Sequence, residues 1–328
     1  MPGCQRHAPL YGVSGLSKEI PTNIAASVKQ RLLNRARAQK EDFNLLLTKY
    51  ALERVLYRIS QSPQREAFVL KGALLFELWT DQTHRPTRDA DFLSQGENSL
   101  ERFRKLFEEL CNLVVEDDGL RFDAASVTAE RIKEDQDYEG LRVTFLGYLE
   151  NARLPVQIDI GFGDAITPAP IETAFPTLLG NPAPILLTYP RETVVAEKFE
   201  ALVKLGIANT RMKDFHDLQT LASLFPFSGT TLSEAIRRTF ERRRTPLPLE
   251  APPIALTSEF YNDATKQKQW NAFVSKNKLY IEPITLEEVT AGIQAFVMPV
   301  LLPSAAESSP ILEWEPGGPW KHVIRIVE

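Results

Sequence analysis

Two carboxylates spaced by one residue, Asp89 and Asp91 in Thr87-Arg88-Asp89-Ala90-Asp91-Phe92-Leu93, are the residues of this chain best suited to chemistry. In an extended strand alternate side chains share a face, so the two acids project together while Ala90 and Phe92 project into a core. Like charges side by side are unfavourable unless a cation sits between them, and a divalent metal is the usual one. Upstream, Phe68-Val69-Leu70-Lys71-Gly72-Ala73-Leu74-Leu75 reads as a short apolar strand turning through glycine into an apolar helix that starts at Gly72. The first N–H groups of such a helix are a seat for phosphate. Together the two pieces predict metal-assisted phosphate chemistry. Each also has a plainer reading, since strand ends often carry two acids and turns need glycine for backbone reasons alone.

Four more charged residues stand out. Asp159 lies between Ile158 and Ile160 on a strand suited to burial. It needs a cation or strong donors nearby, either as a third metal ligand beside Asp89 and Asp91 or as the partner of a basic residue. Lys198, on the helical run Arg191–Leu202, has only Val194, Val195, Ala201 and Leu202 three and four residues away. Its ammonium either snorkels outward or points into a pocket, where a triphosphate would satisfy it. In Lys213-Asp214-Phe215-His216-Asp217-Leu218 the two acids share a helix face, by N-terminal capping or by serving a site. His216-Asp217 alone would suggest a metal phosphohydrolase, but His7, His84 and His322 show no ligand spacing to it.

The elements that must position these groups follow from periodicity. Residues 24–60 read as two helices broken near Glu41-Asp42, the first carrying a basic surface. Residues 66–188 alternate: strand 67–70, helix 72–79, strand 89–93, an amphipathic helix 98–112, then three strands whose polar loops suit an antiparallel meander. A proline-rich crossing leads to helices from Arg191 onward. The arginine run Arg237, Arg238, Arg242, Arg243 and Arg244 is either a solvated helix face or a phosphate-backbone contact. Residues 302–319 read as linker.

With 328 residues, 43% hydrophobic and 25% charged, the chain has material for more than one core and none of the signature of disorder. A formal charge of −5 argues against general coating of nucleic acid but leaves room for a local basic groove. Two cysteines make neither a disulfide scaffold nor a zinc set, there is no signal-like leader and no membrane-length apolar run, so the expected location is cytoplasmic.

Lys71-Gly72-Ala73-Leu74-Leu75, Arg85-Pro86-Thr87-Arg88-Asp89-Ala90-Asp91-Phe92, Lys198 and Lys213-Asp214-Phe215-His216-Asp217-Leu218 together resemble the AbiEii-type nucleotidyltransferases. These belong to the DNA polymerase β superfamily and include abortive-infection and MenT-like toxins; the resemblance covers roughly residues 24–225. The superfamily's Gly-Ser or Gly-Gly pair is Gly72-Ala73 here. The resemblance implies an α+β fold: a minimal nucleotidyltransferase core with a mixed, largely antiparallel sheet, N-terminal helices and a C-terminal helical domain. The corresponding boundaries are a lead-in 1–23, helices 24–62, the core 63–188, the helical domain 189–300 and a tail 301–328. It further implies Asp89, Asp91, Lys198 and Asp214 as catalytic, Lys71, Gly72, Thr87 and Lys198 as nucleotide-binding, and Asp89 and Asp91 as ligands of Mg2+, to which the strand argument adds Asp159 as the third. The implied reaction moves NMP from an NTP to an acceptor hydroxyl, foremost a tRNA 3′ end or other RNA, with a cognate antitoxin as possible partner and no membrane. The alternative is a catalytically silent module of the same fold that binds RNA or a protein. Kinase-like phosphotransfer ranks last, for want of a glycine-rich loop ahead of a strand lysine.

Overall fold

The computed structural model describes residues 23–80, 84–135, 138–277, 283–301 and 311–323; the expected lead-in lies outside them except for Asn23. The first two helices, α1 (Ile24–Gln39) and α2 (Phe43–Gln61), break where the sequence suggests. Lys40 turns left-handed at φ 56°, and Asp42 restarts the chain by accepting the Leu45 N–H at 2.7 Å. Helix α2 is buried along most of its length. Its Arg54 and Arg58 both reach the buried Asp118, at 2.9 and 2.7 Å, which satisfies charges that burial alone would penalise.

The core that follows comprises β1 (Phe68–Lys71), α3 (Leu75–Trp79), β2 (Ala90–Ser94), α4 (Leu100–Cys111), β3 (Leu120–Asp135), β4 (Tyr138–Leu149), β5 (Ala152–Phe162), β6 (Ile171–Ala174) and β7 (Ile185–Thr188). Its seven strands run in the order β3-β4-β5-β2-β1-β7-β6. Four pairings are antiparallel and two, β2 with β5 and β1 with β7, are parallel, which is the mixed and largely antiparallel sheet expected. The rings of Phe92, Phe103 and Phe107 meet Phe68 edge to face at 5.4 to 6.2 Å, fixing α4 on the sheet.

One local expectation fails. The helix after β1 does not start at Gly72; it starts at Leu75 and runs only five residues. Gly72 has φ +76°, outside the right-handed helical region, so residues 72–74 form a turn instead. So short a helix offers no useful dipole, and the phosphate seat predicted at its N-terminus is absent.

The second half contains α5 (Arg191–Leu205), α6 (Met212–Leu224), β8 (Phe227–Ser228), α7 (Gly229–Arg243), α8 (Ser258–Tyr261), α9 (Ala264–Lys276), α10 (Leu286–Val297), β9 (Ile311–Trp314) and β10 (Trp320–Val323). The stretch that read as linker therefore includes a hairpin: β9 pairs with β10 and with β8. Gly317-Gly318-Pro319, a linker signal in sequence, is its turn, and the aromatic residues flanking it supply the burial that holds it down. Trp314 is 5% exposed and its indole donates to the Ala222 carbonyl of α6 at 2.7 Å.

Candidate active site

A row of charged side chains crosses four neighbouring strands. Arg142 on β4 is registered opposite Asp159 on β5, Asp159 beside Asp91 on β2, and Asp91 opposite Lys71 on β1. Cross-strand partners share a face, so cation, acid, acid and cation stand in line on one side of the sheet. Carboxylate oxygens of Asp89, Asp91 and Asp159 all lie within 4.8 Å of one another. The strand pairing that would make Asp159 a neighbour of the acidic pair is thus present. So is the plainer partner: Arg142 donates Nε and Nη2 to the Asp159 carboxylate at 2.8 and 2.7 Å.

Three carboxylates answered by one guanidinium leave the cluster strongly negative. Desolvation, then the charge of Asp89, push the Asp91 carboxyl up to about 7, against the pull of Lys71. Hard oxygen donors in excess of local positive charge are the donor set that a divalent cation such as Mg2+ prefers, so these residues fit one. Gly72 is required here for space as well as for φ. A Cβ at that position would overlap the Asp91 carboxylate.

The predicted nucleotide-binding Thr87 does something else. Its hydroxyl donates to Asp89 Oδ1 at 2.6 Å and, being buried, it orients the acid rather than facing the cavity. Lys71 does line the cavity, with its ammonium 3.4 Å from Asp164 and 4.0 Å from Glu197.

A second cluster faces the first. Lys198 on α5 neither snorkels nor stands alone: its Nζ lies 2.7 Å from Asp214 and 2.7 Å from Asp217, both on α6. Arg211 binds the other oxygen of Asp214 at 2.6 Å, and Arg85 grips Asp217 with two bonds of 2.9 Å. Burial alone would lower the Lys198 pKa, but the two aspartates outweigh it and raise it, so the ammonium persists. Burial likewise opposes both carboxylates, yet Lys198 and Arg211 hold Asp214 below its ordinary range, and Arg85 and Lys198 hold Asp217 far below. Three cations against two carboxylates leave this side positive. Of the three Lys198 donors, two point to aspartates and one remains for the cavity that Lys198 lines.

The cavity between the clusters encloses about 250 Å³ and is bounded by Gly72, Asp91, Asp159, Lys198, Arg211 and Arg243, among others. Lys71, Gly72, Asp91, Asp159, Lys198 and Asp214 of the predicted site all line it; Thr87 does not, and Asp89 reaches it through the acidic cluster.

The chain's sequence matches the family described as Nucleotidyl transferase AbiEii toxin, Type IV TA system, over residues 54–292, well over half its length. It belongs to the AbiEii nucleotidyltransferase family. Among solved structures, two from Helicobacter pylori are similar in fold. One, described as a candidate nucleotidyltransferase, is 14% identical with a TM-score of 0.45, covering 78% of this chain and 94% of that one. The other, JHP933, is 15% identical with a TM-score of 0.44, covering 78% and 91%. No curated protein matches.

Several groups of this AbiEii-family site were not visible as such in the sequence. Arg85, Arg142 and Asp217 hold the charged clusters together: Asp217 was legible as sharing a face with Asp214 and Arg85 lies just before the acidic pair, but no local signal marked Arg142. The histidines also meet unexpectedly. His84 bonds Asp217 at 2.8 Å and stacks between Phe76 and His216, at 4.0 and 4.5 Å, although no sequence spacing links them. With Arg85 and Lys198 already on Asp217, this trio braces α6 and is poorly suited to a metal. The arginine run is largely a solvated helix face: Arg237 and Arg238 are exposed and pair with Glu234, while the half-buried Arg243 reaches Glu200 at 2.9 Å and Asp164 at 3.1 Å. Among the described residues no helix is long and apolar enough to cross a membrane.

Proposed function

We propose that the cavity binds a nucleoside triphosphate and transfers its NMP to an acceptor hydroxyl, with the 3′ end of tRNA or another RNA as acceptor. The observation that carries this reading is the opposition of a net-negative triad, Asp89, Asp91 and Asp159, to a net-positive cluster centred on Lys198 across one small cavity. A divalent cation, Mg2+ by preference, would be held by the three aspartates and would neutralise triphosphate oxygens. The chain's own groups do the rest. Lys198, with Arg211 and Lys213 on the same wall, takes the negative charge that builds on the departing pyrophosphate. The acceptor oxygen bonds to the α-phosphorus, the bond from that phosphorus to its bridging oxygen breaks, pyrophosphate leaves with the electron pair, and the hydroxyl proton passes to a carboxylate of the triad. Thr87 keeps Asp89 aimed, and Asp214 and Asp217 keep Lys198 extended rather than folded away. Cytoplasmic residence and control by a cognate antitoxin fit the type IV toxin–antitoxin description of the family.

The test is transfer of label from α-labelled NTPs to total tRNA in the presence of Mg2+. Asp89→Asn and Asp91→Asn should each reduce transfer by roughly a thousandfold or more, by removing a group that acts directly on the charge of the reacting phosphates. Wild-type protein that shifts its melting temperature with Mg2+ and NTP but transfers nothing to any acceptor would instead support the silent module.

A further inference from the structure

Beside the catalytic cavity lies a larger groove of about 1020 Å³, with walls from the start of α2, the loop Arg85–Arg88, the first turn of α6 and the last turns of α9. The two spaces share Arg85, Arg211 and Lys213, so they adjoin along that wall. Building on the nucleotidyl-transfer reading, we infer that this groove seats the single-stranded end of a nucleic-acid acceptor, with Arg88 and Lys276 on its phosphates and Phe273 against a base.

The argument is one of charge and shape. Arg88 and Lys276 are exposed, and neither has an acidic partner among the described residues; Lys213, also exposed, is shared with the cavity, where its charge acts on Asp91. The other two cations of the groove, Arg85 and Arg211, are already matched by Asp217 and Asp214. Its one acid, Asp42, is occupied as the cap of α2. Two unmatched cations, beside the shared Lys213, therefore line a single groove of a chain whose formal charge is −5, a concentration against the background that suits a polyanion. A bare anion site would need no ring, but Phe273 stands half-buried in the wall, steadied by Trp270 at 5.6 Å and His216 at 5.8 Å. A fixed ring beside cations is the combination on which single-stranded bases stack while their phosphates are neutralised. Lys276 follows Phe273 by three residues on α9, so base and phosphate contacts fall on one helix face. An unpaired end is the form that fits, because the terminal hydroxyl must leave any stack to enter the cavity.

The double variant Arg88→Ala/Lys276→Ala tests this, since neither residue lines the catalytic cavity. Binding of a fluorescein-labelled, unstructured RNA to the full chain is followed by anisotropy across a salt series, with Mg2+ present and no NTP. Loss of two phosphate contacts should weaken binding roughly tenfold and flatten the slope of log affinity against log salt by about 1.4. Phe273→Ala should weaken binding with that slope unchanged. The thermal shift given by Mg2+ and NTP should match wild type in all variants, and so should the ligand-free melting temperature of the double variant. Equal RNA affinity and slope in wild type and double variant overturns the inference. So does label transfer to a protein acceptor by both with no RNA bound by either. RNA binding that depends on Arg88 and Lys276 without any label transfer would uphold the groove and remove the transferase reading instead. Equal transfer to RNA by both proteins would do the reverse.

Discussion

At the scale of single residues the acidic site is made of short-range geometry. The Thr87 hydroxyl lies 2.6 Å from Asp89 Oδ1, an interaction with no purpose in a turn but a clear one beside a cation, where it keeps a ligand from rotating. Thr87→Val, which keeps the shape and removes the donor, should lower transfer or metal affinity by about 10–100-fold. Titration of activity against Mg2+ at saturating NTP would read it, and an unchanged metal requirement would dismiss the role. The Asp89-Asp91 pair was legible because strand periodicity alone puts both on one face. The use of Thr87 was not, because rotamers of a hydroxyl are settled by neighbours and leave no trace in spacing. Gly72 was legible as a turn, while its second role, leaving room for the Asp91 carboxylate, required the register of β1 against β2.

Between elements the decisive contact is α5 against α6. A helix pattern could show that Asp214 and Asp217 share a face and that Lys198 interrupts an apolar one; it could not show that the two faces meet. Asp217 collects Arg85, His84 and Lys198 at once and is fully buried. Asp217→Asn should destabilise the protein by about 3–5 kcal/mol, because it leaves buried cations without their partner. The pH dependence has a definite sign. The folded carboxyl titrates far below its unfolded value of about 3.8, so its contribution is complete above that value and is lost as pH falls toward the folded pKa. Denaturation of wild type and Asp217→Asn should therefore differ most at neutral pH and converge below about pH 4. A gap that stays constant down to pH 2.5 would contradict this account.

Over the whole molecule, the C-terminal hairpin holds α6, whose Asp214 and Asp217 position Lys198. Trp314 packs against Phe296 at 5.0 Å and bonds to Ala222 of α6, while the Trp320 indole donates to Phe296 at 2.8 Å. Trp314→Ala should cost about 3–5 kcal/mol in urea unfolding, the usual penalty for emptying a buried aromatic site, although no atom of Trp314 lines the cavity. Stability equal to wild type would mean that the hairpin is ornamental. The sequence by itself determined the fold class, the strand acids, the interrupted helices and six of the residues that line the cavity, because each is written in local periodicity or in motifs a few residues long. It did not determine what those residues do with one another. Arg142 opposite Asp159, Lys198 between two aspartates and His84 on Asp217 join positions from 16 to 133 residues apart, and the hairpin in place of a tail is held by β8 and α6 far upstream. Such pairings depend on strand register and helix crossing, which exist only once the apolar faces have packed, and it is that packing which placed opposite charges on two sides of one cavity.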